Sequence, residues 1–170
     1  MTKSLSRIPA DVTVMLDANI VTYALRPQSP YHLSCRKLLD RGAKGAVRLH
    51  MVVNSVSDVM HRSMVAEIVL WENVEPNKAV SYLKRNWQSV QTLTRYKTVL
   101  ADLKQANINI LPLTYRDLHN SRRYRDQFGL MSNDSLIVAV MDREKIRHLA
   151  TNDRDFSRIP HLAIRTPTTS

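Results

Sequence analysis

Apolar residues along this chain fall into two kinds of run: short, mostly β-branched stretches, and longer stretches in which they recur every three or four positions. The first kind opens with "VTVML" (Val12–Leu16), apolar almost throughout and too short for a helix, which predicts a buried strand. "VRLHMVV" (Val47–Val53) and "INILPL", closed by Pro112, predict two more. "RHLAT" predicts a short fourth strand and "HLAIRT" a last one at a sheet edge.

Helical patterns fill the intervals. One covers Ala18 to Leu25. The next is "SPYHLSCRKLLDRGAKG", with Ser29 as N-cap, Pro30 in the first turn and Gly42 at the C-terminus. Ser55 is expected to open a helix carrying Val56, Val59, Met60 and Met64. Pro76 begins a pattern through Val80, Leu83, Trp87 and Val90, and a second follows through Tyr96, Val99, Leu100 and Leu103, which together predict a helical hairpin. Thr114 to Phe128 carries a capping box with Asp117 and a stop at Gly129, and "NDSLIVAVMDRE" is an apolar helix. Strands alternating with helices predict an α/β fold with a central, mainly parallel sheet covered on both faces. The 170 residues fit one domain, 1–170, with residues 1–10 and 166–170 expected to fray.

Composition changes the picture in one respect. Hydrophobic content of 44% is ordinary, and a single Cys with three Gly excludes a disulfide framework or a cysteine zinc cluster. Cys35 reads as a packing residue. No apolar run is long enough for a membrane span or a signal peptide, so a cytoplasmic protein is expected. The 25 Lys+Arg against 15 Asp+Glu, however, leave a net charge of +10, which favours an acidic partner such as nucleic acid over mere solubility. Arg116, Arg122, Arg123 and Arg125 lie on one predicted helix and are the candidates for phosphate contacts, against a simple solvated face.

Acids accumulate where an open parallel sheet forms its sites, beyond the strands' carboxyl ends. Asp17 follows the first strand, Asp153 and Asp155 follow "HLAT", Asp134 lies in the first turn of an apolar helix, and Asp58 in the first turn after the second strand. Each has a local explanation: helix-dipole complementarity for Asp134, a capping box with Ser55 or an i,i+4 pair with Arg62 for Asp58, and turn formation for Asp17 and Asp153. Together they suggest converging carboxylates that a hard divalent cation would stabilise, and with the basic surface they suggest phosphate chemistry. There is no Gly-rich phosphate loop, G-x-S-x-G or H-E-x-x-H, and His61, His119 and His148 read as packing or surface residues.

"VMLDANIVTYAL", "MSNDSLIVAVM" and "HLATNDRDFSRIPHLAI" resemble PIN-domain proteins, especially VapC-type ribonuclease toxins. The resemblance implies a three-layer α/β/α fold with a helical hairpin insertion. It implies a Mg²⁺- or Mn²⁺-dependent endoribonuclease that cleaves structured RNA (tRNA or rRNA) and blocks translation, with a VapB-type antitoxin and a homodimer as partners. By position, Asp17, Asp134 and Asp153 match the family's metal-site acids, and Asn19 and Thr151 match polar residues lining that site. Asp155 is either an outer acid or a salt-bridge partner. The family usually carries Glu in the segment corresponding to "VSDVMHR", where this chain has Asp58, a side chain roughly 1.3–1.5 Å shorter. Glu67 falls almost opposite Asp58 on the helix and is no substitute. A PIN nuclease of RNA processing and a catalytically weakened RNA-binding module are the alternatives. A haloacid-dehalogenase-type phosphatase is disfavoured, because "LDANIV" lacks its second Asp.

Overall fold

In the structure, a computed structural model that describes residues 3–169, β2 (Thr13–Leu16) stands near the middle of a six-stranded sheet of order β1-β6-β5-β2-β3-β4. The other strands are β1 (Lys3–Ser4), β3 (Arg48–Val52), β4 (Ile108–Leu111), β5 (His148–Ala150) and β6 (Ala163–Thr166), and every neighbouring pair is parallel. The expected α/β/α layering is present. Alternation along β2 sends Val14 and Leu16 to one face and Met15 to the other. The first face is covered by α1 (Ala18–Ala24), α2 (His32–Ala43), α3 (Val53–Trp71) and α6 (Arg95–Gln105). The second is covered by α7 (Tyr115–Phe128) and α8 (Ser132–Arg143), with Phe156 buried beneath them.

Order along the sheet creates the decisive feature. From β2 the chain moves outward through β3 to β4, then returns across the sheet to β5 on the other side of β2. The carboxyl ends of β2 and β5 thus meet at the point where the direction of winding reverses, and Leu16 lies opposite Ala150.

Several local expectations need correction. The ends expected to fray are tied down where they are described. Lys3–Ser4 pair with Arg165–Thr166, Leu5 and Ile8 are buried, Arg41 donates to the Ile8 carbonyl (2.8 Å), and the Thr168 amide donates to Ser34 Oγ (3.2 Å). "HLAIRT" is therefore covered by β1 rather than forming an edge. Met1, Thr2 and Ser170 lie outside the described residues. Ser29 and Pro30 precede α2 by a turn instead of capping it, and Gly42 lies inside the helix. The left-handed position after the helix belongs to Gly45 (φ 71°). Gly42 is required for a different reason: a Cβ there would stand 2.3 Å from Leu49 Cδ1 and 2.8 Å from the Ala106 carbonyl oxygen. The thiol of Cys35 is buried in the core, as expected, and burial pushes its pKa up to about 12.

The helical insertion is more broken than a simple hairpin. The pattern from Pro76 becomes α4 (Ala79–Arg85) and α5 (Trp87–Thr92), split at Asn86 (φ −117°, ψ 62°), and Trp87 is exposed. These short helices pack with the end of α3 around Ile68, Ala79, Leu83 and Leu93, a small satellite core separate from the sheet. Its base is fixed by Glu67, fully buried on α3. The Glu67 carboxylate accepts from the Thr94 amide (2.9 and 3.1 Å), the Thr94 hydroxyl (2.9 Å) and the Arg95 amide (2.9 Å). One helix thereby caps the N-terminus of another. By contrast, the Thr114–Asp117 capping box and the left-handed Gly129 (φ 64°) of α7 are as expected.

Gly42→Ala tests the packing argument. Helix propensity alone would favour alanine by up to about 1 kcal/mol. The clash with Leu49 and the Ala106 carbonyl should reverse that sign and destabilise the fold by about 1–3 kcal/mol in urea unfolding. Equal or greater stability of the variant would show that the α2–β3 contact yields easily.

Candidate active site

Asp17 is the first residue past β2, and its backbone amide donates to the Ala150 carbonyl (3.0 Å), extending the β2–β5 ladder by one rung. Its backbone is the N-cap of α1, yet its carboxylate makes no capping bond into the helix. The side chain instead turns toward β5. Thr151 Oγ1 donates to Asp17 Oδ2 at 2.7 Å and Asn19 Nδ2 donates to the same oxygen at 2.6 Å. Thr151 is fully buried, and its hydroxyl also accepts from the Asp153 amide (3.0 Å), so one oxygen orders both strand ends. Asn19 closes the ring by accepting from the Asn152 amide (3.2 Å).

Asp134 enters from the opposite layer, in the first turn of α8. Asp58 enters from α3, where its Oδ2 accepts from Asn133 Nδ2 (3.3 Å). The capping explanation of Asp58 fails, because α3 begins at Val53 and Ser55 is buried inside it. The alternative Arg62 ion pair is also absent among the described salt bridges, though both side chains line the same cleft. That cleft, about 1330 Å³ and open to solvent, is lined by Asp17, Asn19, Asp58, Asp134 and Asp153. Asp155 stands just outside. Its amide donates to Asp153 Oδ1 (2.8 Å) and its carboxylate pairs with Arg158 (2.7 Å), so it braces the turn that carries Asp153.

Burial and the crowding of like charge both disfavour ionisation of these groups. Burial first, then the charges of Asp17, Asp153, Asp155 and Asp58, push the pKa of Asp134 up to about 6. Asp17 is raised as well, mainly by burial and further by Asp153, while the Thr151 hydrogen bond, the Ala18 amide and Arg62 pull it back. Among the described residues no three acids close around one point tightly enough to enclose an ion unaided.

This constellation lies within residues 14–162, which match the family model of the PIN domain. The chain belongs to the PIN domain family. No curated protein sequence matches it. In fold the PIN domain is similar to a chain of VapBC2 from Rickettsia felis, solved bound to a DNA fragment from their promoter (TM-score 0.56, 20% identity, 92% of this chain and 100% of that one). It is similar to a chain of a toxin–antitoxin complex from Klebsiella pneumoniae (TM-score 0.55, 16% identity, 92% and 99% covered). A third similar structure is VapC20 of Mycobacterium tuberculosis, described as a sarcin-ricin loop cleaving toxin (TM-score 0.59, 12% identity, 89% and 98% covered).

The four arginines of α7 do not reach the PIN cleft. Arg122 pairs with Asp126 (3.2 Å) and Arg123 with Asp142 (2.9 Å), while Arg125 turns inward to Ser121 (2.8 Å) and Ser135 (2.9 Å). Arg116 and Arg125 make no ion pair among the described residues, and Arg125 is spent on the two serine hydroxyls. The cations at the cleft are instead Arg62 and Arg154, accompanied by Tyr23, Asn133 and Asn152. The signal for both was available. Arg154 sits between the two aspartates of "NDRDF", and Arg62 is one helical turn past Asp58.

The raised pKa of Asp134 has a sign that can be checked without any substrate. Its folded value (about 6) exceeds the ordinary 3.8, so folding is penalised once the group ionises, fully above pH 6, and the penalty disappears as pH falls through the window from 6 to 3.8. Asp134→Asn should therefore raise the Tm of metal-free protein at pH 8 and give a markedly smaller gain at pH 4.5. Gains of the same size at both pH values would show that burial and its acidic neighbours do not hold Asp134 above its ordinary pKa.

Proposed function

We propose that this PIN domain is a divalent-metal-dependent endoribonuclease and the toxin partner of a VapB-type antitoxin. The observation that carries this reading is the gathering of Asp17, Asp58, Asp134 and Asp153 in one cleft of a protein with net charge +10, at a cost visible in the raised pKa of Asp134. Half-buried like charges held together by the fold are stabilised by a cation, and a basic exterior draws a polyanion toward them. The donor set fits the ion. The cleft lining offers oxygen donors, the kind a hard cation such as Mg²⁺ or Mn²⁺ takes while keeping several waters, although no three acids among the described residues stand close enough to hold it without those waters. Asp17, Asp134 and Asp153 would hold it; when bound, it lowers the pKa of a water and offsets charge on the phosphoryl oxygens.

The chain's own residues then have separable tasks. Asn19 and Thr151 orient Asp17 through its Oδ2, and the Asp155 amide orients Asp153. Asn133 holds Asp58 toward the cleft, and Arg62 and Arg154 stand where a phosphodiester would enter. Similarity in fold to chains of two toxin–antitoxin structures, and to VapC20, described as a sarcin-ricin loop cleaving toxin, supports the toxin assignment over an RNA-processing role. A homodimer acting in the cytoplasm on tRNA or rRNA belongs to the same reading. No helix among the described residues is long and apolar enough to cross a membrane.

Purified protein should cut RNA with Mg²⁺ or Mn²⁺ and stop on addition of EDTA. Asp17→Asn and Asp153→Asn should each reduce cleavage by about a hundredfold or more while leaving the thermal unfolding cooperative. Undiminished cleavage in EDTA would defeat the metal mechanism.

Asp58 supplies the finer test, now that helix capping is ruled out as its role. A carboxylate one methylene short points at the cleft without reaching as far as glutamate. Asp58→Glu should raise single-turnover cleavage about tenfold, equivalent to ~1.4 kcal/mol of barrier. Asp58→Ala should lower it, with little change in stability. Identical rates in all three proteins would remove Asp58 from the chemistry.

A further inference from the structure

The acid cleft continues past Arg62. That side chain also lines a second groove of about 800 Å³, walled by Thr22 and Arg26 at the end of α1, Ser63 on α3, and Arg95 and Thr98 on α6. Two stripes lead from one depression into the other. Asn19, Tyr23 and Arg26 recur at i, i+4 and i+7 along α1 and the turn after it, and Asp58 and Arg62 are one turn apart on α3. Tyr23 lines the cleft and is fixed in place by Tyr31, with ring centroids 5.0 Å apart.

The charge of this groove is held by no ion pair among the described residues, although Arg62 also acts on Asp17 across the cleft. Arg26, Arg62 and Arg95 are all exposed, and none makes an ion pair among the described residues, whereas Arg123, Arg143, Arg147 and Arg158 are each held by an acid. The N-terminus of α6 contributes little, because the Glu67 carboxylate already takes the amides of Thr94 and Arg95. Attraction for an anion therefore comes from three guanidinium groups. Asp102, which accepts from the Thr98 hydroxyl (3.2 Å), lies on the same α6 wall two turns past Arg95 and limits the favourable stretch at that end.

We propose that this groove carries the backbone of a single RNA strand leaving the cleavage site, with Arg26, Arg62 and Arg95 against successive phosphates and Tyr23 stacked on a base at its threshold. A positively charged groove with an aromatic ring at its mouth is the arrangement that tracks unpaired nucleic acid independently of sequence. The direction of the strand, from cleft to groove, rests on the nuclease reading; the binding itself does not.

The test is fluorescence anisotropy in EDTA with an oligouridine of about 12 nucleotides, comparing the full chain with the double variant Arg26→Gln, Arg95→Gln. The variant should bind about tenfold more weakly at low salt. The slope of log affinity against log salt should flatten by about 1.4, or 0.7 for each lost phosphate contact on a single strand. Arg26→Lys with Arg95→Lys should restore most of that slope, and an oligouridine of about 3 nucleotides, too short to pass Arg62, should bind all versions alike. Unchanged affinity and slope in the Gln variant would overturn the proposal, as would an equal loss on a fully paired RNA of the same length. Displacement of the RNA by polyglutamate, with the same dependence on Arg26 and Arg95, would assign the groove to an acidic protein segment instead. Because these readings are made without cleavage, an inactive protein that still shows the expected slopes would overturn the nuclease reading and leave the groove standing.

Discussion

The register of β2 against β5 is the constraint from which the site follows. With Leu16 opposite Ala150 and the Asp17 amide bonded to the Ala150 carbonyl, Asp17 and Thr151 emerge side by side although 134 positions separate them in sequence. A slip of one residue in either strand would send alternate side chains to the other face and break the Thr151–Asp17 bond. The tight fit on both faces opposes such a slip, since Val14 and Leu16 pack under one helical layer and Met15 and Leu149 under the other. Hydrophobic packing of the sheet thus determines where its carboxylates stand.

Those carboxylates are held against their own electrostatic preference. Asp134 and Asp17 both resist ionisation, through burial and through their acidic neighbours, while Arg62 eases the strain on Asp17 from the rim. The polar groups around them share a pattern: Asn19, Thr151, Asn133 and the Asp155 amide each fix one acid without neutralising it. Negative charge is concentrated inside and positive charge is spread outside, which is the reverse of an arrangement optimised for stability alone.

Much of this was legible in the sequence for identifiable reasons. The short apolar strands, the Thr114–Asp117 box and Gly129 depend on neighbours within a few residues, and they were found with nearly the right limits. The acids were legible because they fall just past apolar runs. What failed depended on distant partners. Gly42 matched a helix stop, but it is needed for the approach of Leu49 and Ala106. Lys3–Ser4 have no strand pattern of their own and become β1 because β6 offers an unpaired edge. The arginines of α7 looked like one basic face, yet three of them are engaged by Asp126, Asp142, Ser121 and Ser135, two of which lie on α8. The continuous Pro76 pattern gives no sign of the break at Asn86, where the backbone leaves helical geometry between α4 and α5.

Glu67 gives the molecule a division of labour. Upstream of it on α3 stand Asp58 and Arg62; beyond it lie the small helices α4 and α5 and the turn at Asn73 (φ 49°), which close on their own cluster of apolar residues. The buried carboxylate pins the two stems of this arm, α3 and α6, at one level. That anchor separates the exposed turn beyond Glu72 from the half of α3 that lines the cleft. Mechanically the arm is a separate small body on two stems, and its outline is set by its own apolar cluster rather than by the packing that positions the cleft acids.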